Sequence, residues 1–208
     1  MRKVFLYLYP IKEYTGFFLK GWQTFSKENP LPILNECIEK RYRQNGYEVI
    51  IAIYPDKEIF GIDIKPEDKV IETDVTFVEA TGYYEDGKEK PNEEIKYPSE
   101  EDLFNKVDYV DEIVVGGYHY SDCVRRVAEY FHEQGINTLV DVELTDVFFG
   151  HYYRDDFNKE MYSPAIFKQR IVQELSRRAG EEIALKTFNS AYNSPVYKFE
   201  ETIEKKSL

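Results

Sequence analysis

Strand-like and helix-like segments alternate twice along this chain, and that alternation limits the possible folds more than any other feature. Val4–Tyr9 is a continuous apolar run of strand-forming residues, and Pro10 ends it. A helical segment begins at Asn29-Pro30, shows one apolar face at four-residue spacing, and leads into a second apolar run, Tyr47–Tyr54. Two strands joined by a helix form a unit in which the strands lie parallel. The first fifty residues therefore predict part of a parallel sheet.

A second unit of the same kind follows in the middle of the chain. Ile113–Val115 reads as a buried strand and is followed by Gly116-Gly117. Ser121 or Asp122 can cap the next helix, which Gly135 ends and whose apolar face consists of Val124, Val127, Ala128 and Phe131. Thr138–Leu144 is the strand that completes the unit. The two units together predict an α/β fold, a three-layer Rossmann-like sandwich with a mainly parallel sheet.

The 208 residues suit a single α/β domain, 1–208, with additions to the sandwich. Residues 11–28 are predicted to be a loop with a short helix, and Val70–Phe77 a strand with one wet face. A charged excursion near 80–98 contains an Asp-Gly turn, which is a hairpin signal, and Ser99 is predicted to cap a short helix. A C-terminal helical extension, 163–208, begins at Ser163-Pro164. One interpretation of this helix is that it packs on a neighbouring subunit, which makes a homo-oligomer the expectation.

Charge and cysteine content narrow the classes of partner. The formal net charge is −12, and such an acidic surface repels both nucleic-acid backbones and anionic membranes. No apolar stretch approaches the length of a membrane span, and two cysteines do not form a disulfide framework. We therefore expect a cytoplasmic protein whose partner is a small-molecule ligand or substrate. Gly116-Gly117 is not a dinucleotide-binding fingerprint, and no cofactor is expected.

Cys123 is the residue most suggestive of chemistry. It is predicted to lie in the first turn of the helix after the third strand, at the carboxyl edge of the sheet where ligands bind. A helix start lowers the pKa of a thiol and favours a nucleophilic thiolate. The backbone amides of Asp122, Cys123 and Val124 are then placed to donate to an oxyanion. The alternative interpretation is that Cys123 fills the core as a small apolar residue, as is expected for Cys37.

The same segment resembles the isochorismatase-like cysteine hydrolases. The resemblance rests on a spacing: Ile113-Val114-Val115-Gly116-Gly117, five residues, Cys123-Val124, then Ala128, Gly135 and a strand containing Asp141. It implies a three-layer α/β fold around a parallel sheet, a cysteine nucleophile, and hydrolysis of amides or vinyl ethers of small molecules. Members of that family also carry a lysine upstream of the cysteine, and Lys96 stands at a shorter distance than is usual.

The chain departs from the family pattern at one catalytic position. The family places an aspartate just after the first strand, whereas Tyr9, Pro10 and Ile11 stand there in this sequence. Without that acid, no base is evident to activate Cys123. Two functions stay open: a hydrolase that uses Cys123 with Lys96, or a non-catalytic α/β protein that binds a small ligand or partner. The second would use the same cleft, lined by Gly117, Tyr118, His119, Tyr120 and Asp122.

Other polar residues give weaker signals. His119 and Cys123 are four residues apart, but two such ligands do not make a zinc site, so no metal is expected. Asp141 and Glu143 alternate along a strand near its carboxyl end. They are interpreted either as a solvated strand edge or as a polar wall of the Cys123 pocket.

Overall fold

The strands form one parallel sheet in which β1 occupies the centre. The computed structural model describes residues 1–22, 29–81 and 94–145. Five strands pair in the order β3-β2-β1-β4-β5, and every pairing is parallel. Their bounds are β1 Lys3–Leu8, β2 Glu48–Ile53, β3 Lys69–Glu72, β4 Glu112–Gly117 and β5 Asn137–Thr145. The predicted parallel sheet is confirmed.

Helices cover both faces of this sheet. Their bounds are α1 Lys12–Trp22, α2 Leu31–Arg41, α3 Phe77–Thr81, α4 Glu100–Val107 and α5 Arg125–Glu133. One core cluster packs Leu34 and Ile38 of α2 against the sheet, and the other packs Leu103 of α4 and Phe131 of α5 against the opposite face. The three-layer α/β sandwich predicted from the sequence is confirmed.

The central strands form because both of their faces are apolar. After its first residue, β1 is completely buried, and so is β2. Burying each Ile, Leu or Phe side chain contributes roughly 1.5–3 kcal/mol relative to leaving it exposed. Phe5 of β1 also stacks on Tyr42, which follows α2, with 3.7 Å between ring centroids. This contact fixes α2 against the sheet.

Two elements differ from their predictions. Residues 12–22 form a full helix, although Gly16 and several aromatic residues had indicated a loop with a short helix. The strand predicted over Val70–Phe77 ends at Glu72, and Phe77 begins α3. The reason is a capping box: Glu79 accepts from the Thr76 amide at 2.9 Å, while Thr76 Oγ1 accepts from the Glu79 amide at 3.3 Å. This exchange starts a helix where strand alternation had been inferred.

Helix α4 is tied to the sheet edge that β3 forms. Ser99 caps α4 as predicted, because its Oγ accepts a hydrogen bond from the Asp102 amide at 3.2 Å. At the other end of α4, Lys106 Nζ donates to the carbonyl of Glu72 at 2.8 Å, and Lys69 Nζ donates to the carbonyl of Lys106 at 2.7 Å. Reciprocal lysine contacts therefore join the helix to the edge strand.

Some predictions fall outside the described residues. These are the Asp-Gly hairpin, most of the excursion at 80–98, and the helical extension 163–208. The homo-oligomer depends on that extension and stays a prediction. In the described part of the chain, no helix is both long enough and apolar enough to cross a membrane.

Candidate functional site

The carboxyl end of β1 lies at the point where the order of the strands reverses. Chain order runs outward from β1 through β2 to β3 on one side, and through β4 to β5 on the other. Open α/β sheets bind ligands in the crevice beyond the carboxyl ends of the strands at such a switch point. The residues that directly follow β1, β2 and β4 are therefore the first candidates for a site.

Tyr9, the residue after β1, has a buried hydroxyl. Its ring is 1% exposed and stacks on Tyr54, which follows β2, with centroids 4.7 Å apart. The Tyr9 hydroxyl has no hydrogen-bond partner among the described residues. Burial raises the pKa of Tyr9 well above its ordinary value, and nearby Cys123 and Tyr14 add to the effect. Tyr9 is therefore a neutral phenol at the switch point, and its hydroxyl bonds to none of the described residues.

Tyr14 of α1 connects Tyr54 with Tyr118. Its hydroxyl lies 3.5 Å from that of Tyr54, and its ring lies 6.0 Å from the ring of Tyr118. We call Tyr9, Tyr14, Tyr54 and Tyr118 the tyrosine cluster. Burial raises the pKa of Tyr14 to about 12 and also raises that of Tyr54. Tyr9, Tyr14 and Tyr54 are therefore protonated phenols at neutral pH.

The end of β4 requires glycine. Gly117 has φ of +104°, and a Cβ atom there would lie 2.2 Å from the Leu8 carbonyl oxygen. The Tyr118 amide donates to that same carbonyl at 3.0 Å, and the peptide bond between Tyr118 and His119 is cis. The ring of His119 then meets that of Tyr14 edge-on at 4.3 Å. Close approach of β1 and β4 accounts for Gly117, and a role for it in ligand binding stays a prediction.

Cys123 lies in a π-helical turn and not in the first turn of an α-helix. This turn spans Tyr120–Val124, and α5 begins at Arg125. The carbonyl of His119 accepts from the amides of Asp122 and Val124, both at 3.1 Å. Two of the three amides predicted to donate to an oxyanion are thus engaged within the chain. The expected oxyanion hole is wrong for these two amides, because both already donate to the His119 carbonyl within the turn.

The thiol of Cys123 is weakly acidic in this setting. Burial raises its pKa to about 12, with further raising by the carboxylates of Asp122 and Glu100. Arg126 and a hydrogen bond with the His119 backbone act in the opposite direction but do not compensate. The pKa shift is opposite to the lowering expected from a helix start. The catalytic role of Cys123 stays a prediction, and the resting group is a protonated thiol.

Arg126, the cation that favours the Cys123 thiolate, is already engaged. Arg126 forms an ion pair with Glu100, lies 3.9 Å from Asp122, and stacks on Tyr97 with 4.4 Å to the ring centroid. Asp74 also acts on Tyr9, although its carboxylate accepts from the Ser99 amide at 3.0 Å. The charges around the cluster are therefore mostly negative.

Lys96 lies in the segment before α4 and contacts Glu79 of α3. Its side chain is 66% exposed, its Nζ lies 3.4 Å from the Glu79 carboxylate, and its amide donates to the Glu79 carbonyl at 3.0 Å. Because Glu79 also caps α3, this pairing ties Lys96 to the start of that helix. Its predicted catalytic role is not tested by these contacts.

Asp141 takes part in an ion pair that sequence reasoning missed. Its carboxylate is fully buried and accepts from Arg41 at 2.8 and 2.9 Å and from the Tyr42 hydroxyl at 2.5 Å. It also accepts from the Leu144 amide at 3.3 Å, across an irregularity in the pairing of β4 with β5. The solvated-edge interpretation of Asp141 is wrong. Arg41 lies a hundred residues away on α2, so strand alternation held no signal for this pair.

A surface groove beside α2 is a weaker candidate. Its volume is about 310 Å³, and it is lined by Pro32, Asn35, Glu36, Glu39, Arg43, Asp63 and Lys65. Arg43 is held by the Asp68 carboxylate at 2.6 and 3.0 Å, and Asn35 bridges the Gly61 carbonyl and the Asp63 amide. Its principal polar groups thus bind other parts of the chain. Across residues 1–22, 29–81 and 94–145, no three His, Cys, Asp or Glu side chains are grouped to hold a metal ion.

Comparison with known proteins yields similarities of fold alone. No family model matches the sequence, and no curated protein matches it. Among solved structures, N-carbamoylsarcosine amidase from Thermoplasma acidophilum is 15% identical, with a TM-score of 0.43 over 80% of this chain and 93% of that one. A hypothetical protein from Trypanosoma cruzi is 12% identical, with a TM-score of 0.44 over 98% of this chain and 91% of that one. A candidate Mar1 ribonuclease from Leishmania major is 11% identical, with a TM-score of 0.44 over 89% and 90%. Similarities this distant bear on neither the activity nor the site of this chain.

Proposed function

We propose that this chain binds a small molecule non-covalently at the tyrosine cluster, through a hydrogen bond to the hydroxyl of Tyr9. The observation that carries the proposal is that this hydroxyl is buried and has no partner among the described residues. A buried polar group without a partner costs about 1–3 kcal/mol. A ligand that brings an acceptor to Tyr9 removes that cost, which gives ligand binding a driving force at this position.

The position of the cluster supports the same proposal. Tyr9, Tyr54 and Tyr118 directly follow β1, β2 and β4, so they meet at the switch point of the sheet. Tyr14 and Tyr54 share one contact between their hydroxyls, which leaves one of the two O–H groups available to a ligand. Cys123 serves as a neutral wall of the site, because its thiol stays protonated.

Thermal-shift screening with small molecules tests the proposal. A ligand that binds only the folded state raises the melting temperature, and substitution Tyr9→Phe is expected to abolish that increase. Tyr47→Phe is the matched control, since the Tyr47 hydroxyl bonds to Glu112 at the opposite end of the sheet. Mass spectrometry of the incubated ligand should return it unchanged. A ligand whose stabilisation survives Tyr9→Phe at full size would contradict the proposal.

Hydrolysis through Cys123 is the second candidate function. Its support is that Cys123 lies in the turn directly after β4 and has the His119 backbone and Arg126 as groups that favour its thiolate. For this mechanism, substrate binding has to lower the pKa of Cys123, because a raised pKa leaves little nucleophile at neutral pH. Lys96 is the accompanying electrostatic group in this proposal.

Substitution separates the two functions. If an amide or ester is consumed, Cys123→Ala should abolish turnover while Cys37→Ala, in the core beneath α2, leaves it unchanged. Turnover that persists in Cys123→Ala would exclude the thiol mechanism. Binding without any product, lost on Tyr9→Phe, would support the first proposal.

A further inference from the structure

Lys57 joins three separate elements above the tyrosine cluster. It lies in the loop after β2, and its Nζ is 2.6 Å from the carboxylate of Glu13 on α1. The same Nζ lies over the ring of Phe77, the first residue of α3, with 4.3 Å to the ring centroid. One ammonium group thus holds α1 and α3 to the end of β2 through an ion pair and a cation–π contact.

Phe77 lies directly against the cluster. Its ring meets Tyr14 edge-on at 5.7 Å and Tyr54 edge-on at 5.6 Å. Phe77, Tyr14 and Cys123 all pack against the same core cluster, and Cys123 interacts electrostatically with both tyrosines. Movement of Phe77 therefore uncovers Tyr14 and Tyr54, the two tyrosines that interact electrostatically with Cys123.

Helix α3 is held by few buried contacts, so it can separate locally from the rest of the chain. None of its five residues is buried, in contrast to α4 and α5. The Lys57 and Glu13 side chains are 21% and 41% exposed, and exposed ion pairs are typically worth about 0.2–1 kcal/mol. Segments with few buried contacts open locally while the core stays folded.

We infer that Glu13, Lys57 and Phe77 form a latch that closes the tyrosine cluster and Cys123, and that opens locally to admit a ligand. The inference goes beyond the proposed function, since it holds whether the occupant is bound or hydrolysed. Opening breaks the ion pair and swings Phe77 away, without unfolding the sheet.

Alkylation of the two cysteines by iodoacetamide tests the latch without knowledge of the ligand. Cys123 reports local opening, and Cys37, buried in the other core cluster, reports global unfolding. The variants are Glu13→Gln and Lys57→Met, with Glu36→Gln as control because Glu36 forms an exposed ion pair with Lys40 on α2. Each latch variant should alkylate Cys123 about two- to five-fold faster, with Cys37 and the control unchanged.

The two variants also separate opening from simple charge effects. Loss of a carboxylate alone raises the thiolate fraction of Cys123, and loss of an ammonium alone lowers it, so a pure charge effect gives opposite signs. The latch requires both variants to accelerate the reaction. Opposite signs, unchanged rates, or equal acceleration of Cys37 would each overturn the inference.

Discussion

Cys123 is expected to resist alkylation throughout the neutral and mildly alkaline range. Burial and the Asp122 carboxylate raise the pKa of its thiol from 9.0 to about 12. Each pKa unit corresponds to about 1.4 kcal/mol, so the folded chain disfavours the thiolate by roughly 4 kcal/mol relative to an ordinary thiol. At pH 8, the thiolate fraction, and with it the alkylation rate, should be about a thousand-fold below that of an ordinary thiol.

The perturbation is Asp122→Asn, which removes the second-largest cause of the raised pKa. The pKa of Cys123 should fall but stay above 9.0, because burial is the largest cause and remains. Arg126→Gln should raise the pKa of Cys123, because Arg126 lowers it. The assay is the alkylation rate of Cys123 as a function of pH, with quantification by mass spectrometry. The logarithm of the rate should rise by about one per pH unit up to about pH 10, without a plateau.

A plateau below about pH 9 would refute this reasoning, because it would show an activated thiolate. It would also favour hydrolysis over ligand binding. The same pKa shift affects stability. Because the pKa of Cys123 in the folded chain exceeds that in the unfolded chain, the thiol's stabilising contribution is complete below pH 9.0 and is lost as the pH rises towards about 12. Cys123→Ala should therefore show a shallower loss of stability over that window.

Three further substitutions follow from the geometry. Tyr9→Phe removes a buried hydroxyl without a described partner and should raise the free energy of unfolding in urea by up to ~1 kcal/mol; a clear loss of stability would contradict this. Asp141→Asn leaves Arg41 without its buried counter-charge and should cost ~3 kcal/mol in the same assay. Gly117→Ala drives a Cβ atom into the β1 backbone and should prevent folding, as judged by circular dichroism. Gly135→Ala is its control: φ there is also positive but no atom lies within 4 Å, so only ~1 kcal/mol should be lost.

The sequence predicted the sheet and its layers because the decisive signals are local. Val4–Tyr9 and Tyr47–Tyr54 are apolar without interruption, which is characteristic of strands buried on both faces. The end of β3 was harder to locate, although the Thr76-to-Glu79 spacing that starts α3 was visible in the sequence. Strand alternation and a capping box competed over the same residues, and the capping box prevailed.

The candidate site was only partly predictable, because its members converge from separate strand ends. The placement of Cys123 beyond β4 follows from local pattern. The approach of Tyr9, Tyr14 and Tyr54 depends on strand order and on the path of α1, which no local pattern specifies. The raised pKa of Cys123 likewise depends on burial by distant segments. The place of Cys123 after β4 could be read from the sequence, whereas its chemical environment had to come from the structure.

The lysine contacts between α4 and β3 affect how copies of the chain meet. Exposed sheet edges invite pairing with strands of other molecules, and charged side chains placed at the edge oppose it. Here the Lys106 ammonium donates a hydrogen bond to the Glu72 carbonyl, an acceptor on β3. An incoming strand would have to displace an ammonium that the Asp102 carboxylate also binds at 2.7 Å. Growth of a continuous intermolecular sheet from β3, which is outermost among the described strands, is therefore resisted.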